Sequence, residues 1–406
     1  MKTDLLKKLG RINTVPAGWK LTTVGKVCKI RNDLRKPLST EERAKIQGSY
    51  PYYGPTGVLD FIDHHLVEGQ FALIGEDGDH FLKPEQKAQT LLVNGKFNVN
   101  NHAHLIQGTE KCSSEWFFLY FHHRDITHLI SRQGASRYKL NKDTLSKLPI
   151  LVPPLNQQLE IYKLFTTWDN AIEKTAALIA AKEKQFEWLT SNLINRAGHK
   201  RTAASGLMIE VSKRNKNSTI ERVLSVTNHS GFVLPEEQFE RRVASANVSN
   251  YKVVEQGQYA YNPSRINVGS IARLDDWENG ILSPMYVVFK LDTKKVCSDY
   301  FFHWLNSSEA RQRIKNSAQG SVRETVSFKD LGAIDIPLPA MDVQKDVTYK
   351  LNLAQKEISL LKKTLEQYRS QKRGLMQKLL TGEWQVSSAQ PAAEGEHQQL
   401  TTEGVA

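Results

Sequence analysis

Four short stretches carry side chains suited to binding chemistry. Asn262-Pro-Ser-Arg-Ile-Asn267 lies in a Pro-containing loop between strand-like runs. An arginine fork can read guanine and an asparagine amide can read adenine in the major groove of double-stranded DNA. Asn262, Ser264, Arg265 and Asn267 are therefore candidate base contacts, against the alternative that Asn and Ser satisfy their own loop backbone. Tyr50-Pro-Tyr-Tyr-Gly54 is an aromatic turn. Tyr52 and Tyr53 could pack on sugars or bases and donate to phosphate, or fill a hairpin core. Arg132, Arg137 and Lys139 flank Gly134, and Arg323 flanks Gly320. These cations suit phosphate contact, or a solvated loop.

Catalytic patterns are weaker. An adenine methyltransferase needs a cofactor loop and an N/D-P-P-aromatic loop for the extruded base. Asn262-Pro-Ser-Arg265 lacks the second proline and the aromatic, and no GxGxxG or GxxxxGK[ST] loop is present. Glu85-x-Lys87, with Asp77 and Asp79 upstream, is a faint nuclease-like echo that any charged loop produces. Histidines cluster at His64-His65, His102-x-His104 and His122-His123 with His128, but no cysteine joins them. No catalytic residue, metal site or cofactor is assigned. Cys28, Cys112 and Cys297 form no CxxC and suit a reducing, cytoplasmic compartment. No apolar run approaches the ~18 residues of a membrane helix, and the start does not read as a secretory signal, so no membrane partner is expected.

These residues must be positioned by a chain of 406 residues with ordinary globular composition and a net charge of +12. Residues 1–155 carry +7 and residues 200–340 carry +4, while 156–199 and 341–406 are close to neutral. Basic, β-rich parts facing nucleic acid thus alternate with neutral parts facing protein.

An internal repeat organises the whole. GASRYKLNKDTLSKLPILVPPLNQQ at 134–158 and GSVRETVSFKDLGAIDIPLPAMDVQ at 320–344 align without gaps at an offset of 186 residues. Gly134 pairs with Gly320, Arg137 with Arg323, Pro153 with Pro339 and Gln158 with Gln344. Heptad stripes follow in the same register. One includes Ile161, Phe165, Trp168, Ile172 and Leu193; the other includes Val347, Leu351, Ile358, Leu365 and Leu379. Each spans about 40 residues, a helix of ~60 Å. Weaker matches join Gly69-Gln-Phe-Ala72 to Gly257-Gln-Tyr-Ala260, and Glu115-Trp-Phe-Phe118 to Asp299-Tyr-Phe-Phe302.

The expected architecture is α+β. Two α/β domains, 1–155 and 200–340, are separated by long helices at 156–199 and 341–383. A disordered tail follows at 384–406.

With PYYGPTGVLDFID at 51–63, FNVNNHAHLI at 97–106, YNPSRINVGSIAR at 261–273 and ILSPMYVVFK at 281–290, the sequence resembles the specificity subunit of type I restriction–modification systems. The resemblance covers residues ~15–383. It implies that the two α/β domains are target recognition domains, each gripping half of a split DNA site, and that the two long helices form an antiparallel coiled coil holding them apart. It also implies two methyltransferase subunits using S-adenosylmethionine, and restriction subunits using ATP and Mg2+. The chain itself would be non-catalytic. A single-chain methyltransferase or nuclease with tandem DNA-binding domains is the alternative, and a coiled-coil scaffold without DNA binding is a third.

Overall fold

The computed structural model describes residues 14–84, 87–133, 137–235, 248–318 and 325–386. The chain divides into two compact units, residues 1–173 with 366–406 and residues 174–365. The units are wider than the domains expected from sequence because both long helices, Leu155–Thr190 and Met341–Leu380, are shared between them. The expected tail begins at Trp384, but residues 384–386 are still fixed: Trp384 N–H donates to the Lys378 carbonyl, and the Gln385 amide donates to that of Ala17. Residues 387–406 lie outside the described residues.

The first unit is built on a six-stranded sheet in the order Lys29–Ile30, Ala103–Gln107, Val67–Gly75, Thr90–Val99, Gln47–Tyr53, Val58–Ile62. Its central strand is buried on both faces, which explains the apolar run Phe71–Ile74. Strand alternation sends Ala72 and Ile74 into a core with Trp116 and Phe117 from the helix Ser114–Phe121. Phe71 and Leu73 point the other way, into a core with Val93, Phe97 and Leu105. A ribbon of Lys20–Thr23 and Pro149–Val152 leads into the first long helix.

The second unit repeats this plan with different residues. Met208–Glu210, Val287–Leu291, Tyr259–Tyr261 and Ile271–Arg273 form a sheet in that order, matching the first four strands of the other. Arg201–Ala203 and Asp335–Pro337 make the ribbon, and Ser298–Leu305 is the helix under the sheet. A further helix, Ser308–Ala318, has no counterpart among the described residues of the first unit.

Each domain is joined to its long helix by the same buried side chain. The Gln158 Oε1 accepts from the Ser113 N–H at 2.9 Å, and its Nε2 donates to the carbonyls of Lys111 (3.0 Å) and Pro153 (2.8 Å). The Gln344 amide accepts from the Cys297 N–H at 2.8 Å and donates to the carbonyls of Lys295 (3.3 Å) and Pro339 (2.9 Å). Ser113 and Cys297 are the N-caps of the two domain helices. A second bond recurs with different chemistry: the Trp116 indole donates to the Leu151 carbonyl at 2.8 Å, and the Tyr300 hydroxyl to that of Pro337 at 3.0 Å.

The heptad stripes are the packed faces of the long helices. Ile161, Phe165 and Leu379 lie in the core of the first unit, and Val347 and Leu351 in that of the second. Ile358 and Leu365 are buried, while Trp168 and Ile172 are half-buried. Trp168 meets the Tyr368 ring edge-on at 5.7 Å, and Lys182 pairs with Glu357 at 2.9 Å. As one helix advances from 168 to 182 its partner recedes from 368 to 357, so they run antiparallel. Asp169–Lys372 and Glu183–Lys362 add ion pairs along the seam.

One seam position departs from the expected register. A π-helical turn, Ser191–Asn195, ends the first long helix. Its extra residue shifts the phase, leaving Leu193 half-buried and placing Ile194 wholly inside the second core. Ile194→Asp is therefore expected to cost more than ~4 kcal/mol, and Leu193→Asp about 1–2 kcal/mol. Urea unfolding followed by circular dichroism measures both; equal losses would contradict the shift in register.

Candidate nucleic-acid interface

In the second unit, the loop 262–270 is held by its own backbone. The Asn262 N–H donates to the Ser270 carbonyl at 3.2 Å, and its side-chain oxygen accepts from the Ser264 N–H at 3.0 Å. The Arg265 N–H donates to the Asn262 carbonyl, and Gly269 closes the turn at φ +97°. A side chain at Gly269 would strain that left-handed conformation. Asn262 thus spends its carboxamide oxygen on building the loop. Arg265 stands exposed at the tip, without a hydrogen bond or ion pair to its guanidinium among the described residues. Asn267 is half-buried beside it and Val268 is 61% exposed.

Not every cation near the loop is available. Arg273, on the next strand, binds Asp275 at 2.7 Å and Asp299 at 2.5 Å, and Asp299 in turn accepts from Asn352 of the long helix. Opposite the loop, the Val326 N–H donates to the Pro263 carbonyl at 3.0 Å. This bond places the chain just after Arg323 beside the Asn262 loop. Arg323 and Gly320 themselves lie outside the described residues.

The same bond exists in the first unit: the Leu140 N–H donates to the Glu76 carbonyl at 2.7 Å. It identifies residues 76–83 as the structural counterpart of the Asn262 loop, an equivalence the sequence reading missed. The two loops share almost no residues. The signal lay in the anchors on either side, Gly69/Gly257 before them and Leu140/Val326 after them. The hairpin of Ser131–Gln133 and Arg137–Lys139 packs beside this loop through Asp77–Gly78.

On that hairpin, Arg132 is exposed, with its guanidinium 6.0 Å from the Tyr138 ring. Lys139 lies 4.0 Å from the Glu76 carboxylate, which pairs more closely with Arg35 at 2.8 Å. Arg137 is in the strand, opposite Gln133; its side chain, and Gly134, lie outside the described residues.

The aromatic turn divides. Tyr52 is wholly buried; its hydroxyl donates to the Lys36 carbonyl at 2.8 Å and accepts from the Leu38 N–H at 2.9 Å. Burial raises its pKa. Tyr52 is therefore a core residue and presents no face to a ligand, because the parallel pairing of its strand with Asn98 and Val99 turns it inward. Tyr53 is half-buried, with its ring edge-on to Phe97 at 5.8 Å.

The histidines are mostly structural. His104 is buried between Asn32 and the Leu140 carbonyl, and burial lowers its pKa. His122 packs under Thr90, and burial, then neighbouring His123, brings its pKa down to about 3. His102 meets Asp77 at 3.1 Å. Among the described residues no three His, Cys, Asp or Glu side chains converge as metal ligands, and no helix is long and apolar enough to cross a membrane.

Residues 16–182, the first domain with most of the long helix that follows it, match the family model described as the type I restriction modification DNA specificity domain. A putative type I restriction enzyme specificity subunit of Haemophilus influenzae is 33% identical over 185 residues, 44% of this chain and 46% of that protein. The match thus spans about half that relative's length. The type I restriction enzyme MjaVIII specificity subunit of Methanocaldococcus jannaschii is 20% identical over 410 residues, 92% of this chain and 95% of that protein. The crystal structure of the type I restriction–modification S subunit from M. genitalium aligns over 91% of this chain and 98% of its own, with a TM-score of 0.58 and 15% identity. At that identity the likeness is one of fold, and it covers both units.

Removing the Tyr52 hydroxyl tests its assignment. Tyr52→Phe leaves the Leu38 N–H and Lys36 carbonyl unpaired, so it should cost about 1–3 kcal/mol of stability. DNA affinity per folded molecule should be unchanged in titrations corrected for active protein. A weaker complex at full stability would return Tyr52 to the interface.

Proposed function

We propose that this chain is the DNA-recognition subunit of a type I restriction–modification complex. Each unit reads one half of a bipartite double-stranded target through the loop after its central strand and the segment packed against it. The observation that carries this reading is the two-fold repetition of one architecture: the same strand order, the same joint to a long helix, and the same loop-to-loop hydrogen bond on different residues. A repeated scaffold holding divergent loops suits two different half-sites read on one duplex.

The chain does no chemistry in this reading. Two methyltransferase subunits supply methylation with S-adenosylmethionine, and restriction subunits supply ATP- and Mg2+-dependent cleavage; they dock on a chain whose repeat offers two similar surfaces. The single-chain methyltransferase or nuclease is disfavoured by the missing catalytic loops in the sequence. We place the complex in the cytoplasm, with domain limits at 1–155 and 200–340 and the helices between them as spacers.

Within the interface, Arg265, Asn267 and Ser264 are proposed to face bases, and Arg132, Arg137 and Arg323 to face phosphates. Arg265→Ala should cost about 1–3 kcal/mol on the cognate site and little on random DNA. Arg132→Ala should weaken both alike and reduce the salt slope by about one. Fluorescence titrations over a salt series check this; a uniform loss from Arg265→Ala would make it a phosphate contact.

The decisive experiment maps methylated adenines genome-wide in cells carrying the chain with its methyltransferase subunits. A two-part motif of fixed gap is expected. Exchanging residues 1–153 for those of a related chain should alter one half-site and leave the other and the gap intact. A single uninterrupted motif would refute the reading.

A further inference from the structure

We infer that Gln158 and Gln344 are positioning residues that set the length of the unread gap by fixing each domain's angle on its long helix. This inference rests on the bipartite reading above. Both amides are sealed from solvent, with Gln158 0% and Gln344 1% exposed. Each side chain uses its acceptor and both donors on three main-chain atoms. Those atoms belong to two segments: the one entering the domain helix, and the proline-containing one entering the long helix. The side chain therefore cross-links the two helices at their origins, where a small change of angle moves the distant face of the domain most.

Adhesion alone does not call for this chemistry. A buried polar network is often matched in stability by apolar residues of similar volume. What a fully satisfied network adds is direction, because its hydrogen bonds hold at one geometry and an apolar contact tolerates sliding. Around the joint the two copies differ freely: Leu155 against Met341, Gln157 against Val343, Leu159 against Lys345, Ser113 against Cys297. The glutamine and its bonding pattern stay the same. In both copies it is the main chain that is gripped, so the joint orients whatever domain follows that trace.

The test uses the intact complex in cells, with methylated adenines mapped genome-wide for wild type, Gln158→Met, Gln344→Met and a control, Phe165→Leu. The control disturbs the same core from the same helix without touching the joint. Melting temperatures are measured on the purified complexes. Both glutamine variants should keep their half-sites and methylate sites with gaps one base pair longer or shorter roughly tenfold above the wild-type background. Phe165→Leu should lower the melting temperature without broadening the gap. An unchanged gap in the glutamine variants, or equal broadening in the control, would overturn the inference. If the methionine variants methylate nothing, Gln158→Asn, which shortens the reach but keeps the amide, decides: a broadened gap supports positioning, and an unchanged gap or silence makes the residue a folding element only. A wild-type map without any two-part site would instead sink the reading on which this inference rests.

Discussion

A buried carboxamide with three main-chain partners is the constraint on which both halves of this chain depend. The long helices begin where Gln158 and Gln344 bind the loops before the domain helices. A helix start leaves unsatisfied N–H groups, and a loop entering a core leaves unsatisfied carbonyls. One side chain meets both needs at the point where the two meet. Around it the apolar residues close: Ile161 and Phe165 can fill the first core, and Val347 and Leu351 the second, because the helix leaves the joint in a fixed direction.

The two units keep their geometry while exchanging the groups that enforce it. An indole N–H in one becomes a phenol O–H in the other, and both reach the same ribbon carbonyl. The loop contact through Leu140 and Val326 uses only backbone, so nothing in the side chains of the two loops has to agree. Conformity is demanded near the helices and released at the loops. That gradient is what a scaffold for two different recognition surfaces requires.

What could be read in the sequence follows from this division. The 186-residue offset, the heptad stripes and the Gln158/Gln344 pair were legible because helix packing and the joint demand fixed spacing. The four-strand core was only partly legible, through the weak match of Gly69-Gln-Phe-Ala72 to Gly257-Gln-Tyr-Ala260. Individual roles at the site were harder. Tyr52 and Tyr53 are adjacent and alike in type, yet strand alternation buries one completely. Lys139 lies beside Glu76, 63 positions away in sequence, and no local pattern announces that proximity. Leu193 packs against the second core only half-buried, with Ile194 beside it fully buried, because a π turn inserts one residue into an otherwise regular repeat. Asn262 gives its side-chain oxygen to the Ser264 N–H of the loop it helps to form, whereas Arg265, two residues beyond Pro263, is left exposed.

The first unit is assembled from the two ends of the chain, and this has a consequence for synthesis. Its core includes Leu379 and Leu380 beside Trp19, Trp116 and Phe165. Gly382, in a left-handed turn at φ +71°, lies so close to Pro16 that a Cβ there would sit 2.2 Å from its ring. On the ribosome, the amino-terminal domain emerges long before this closing piece does. At about 5–20 residues per second, the ~200 residues between them take on the order of ten to forty seconds to appear. Through that interval the nascent domain shows an unfinished apolar face, and the second unit completes itself first. The order of birth and the order of completion are thus reversed, and it is the earlier-made half that stays exposed to chaperones and proteases until Leu379 and Leu380 emerge.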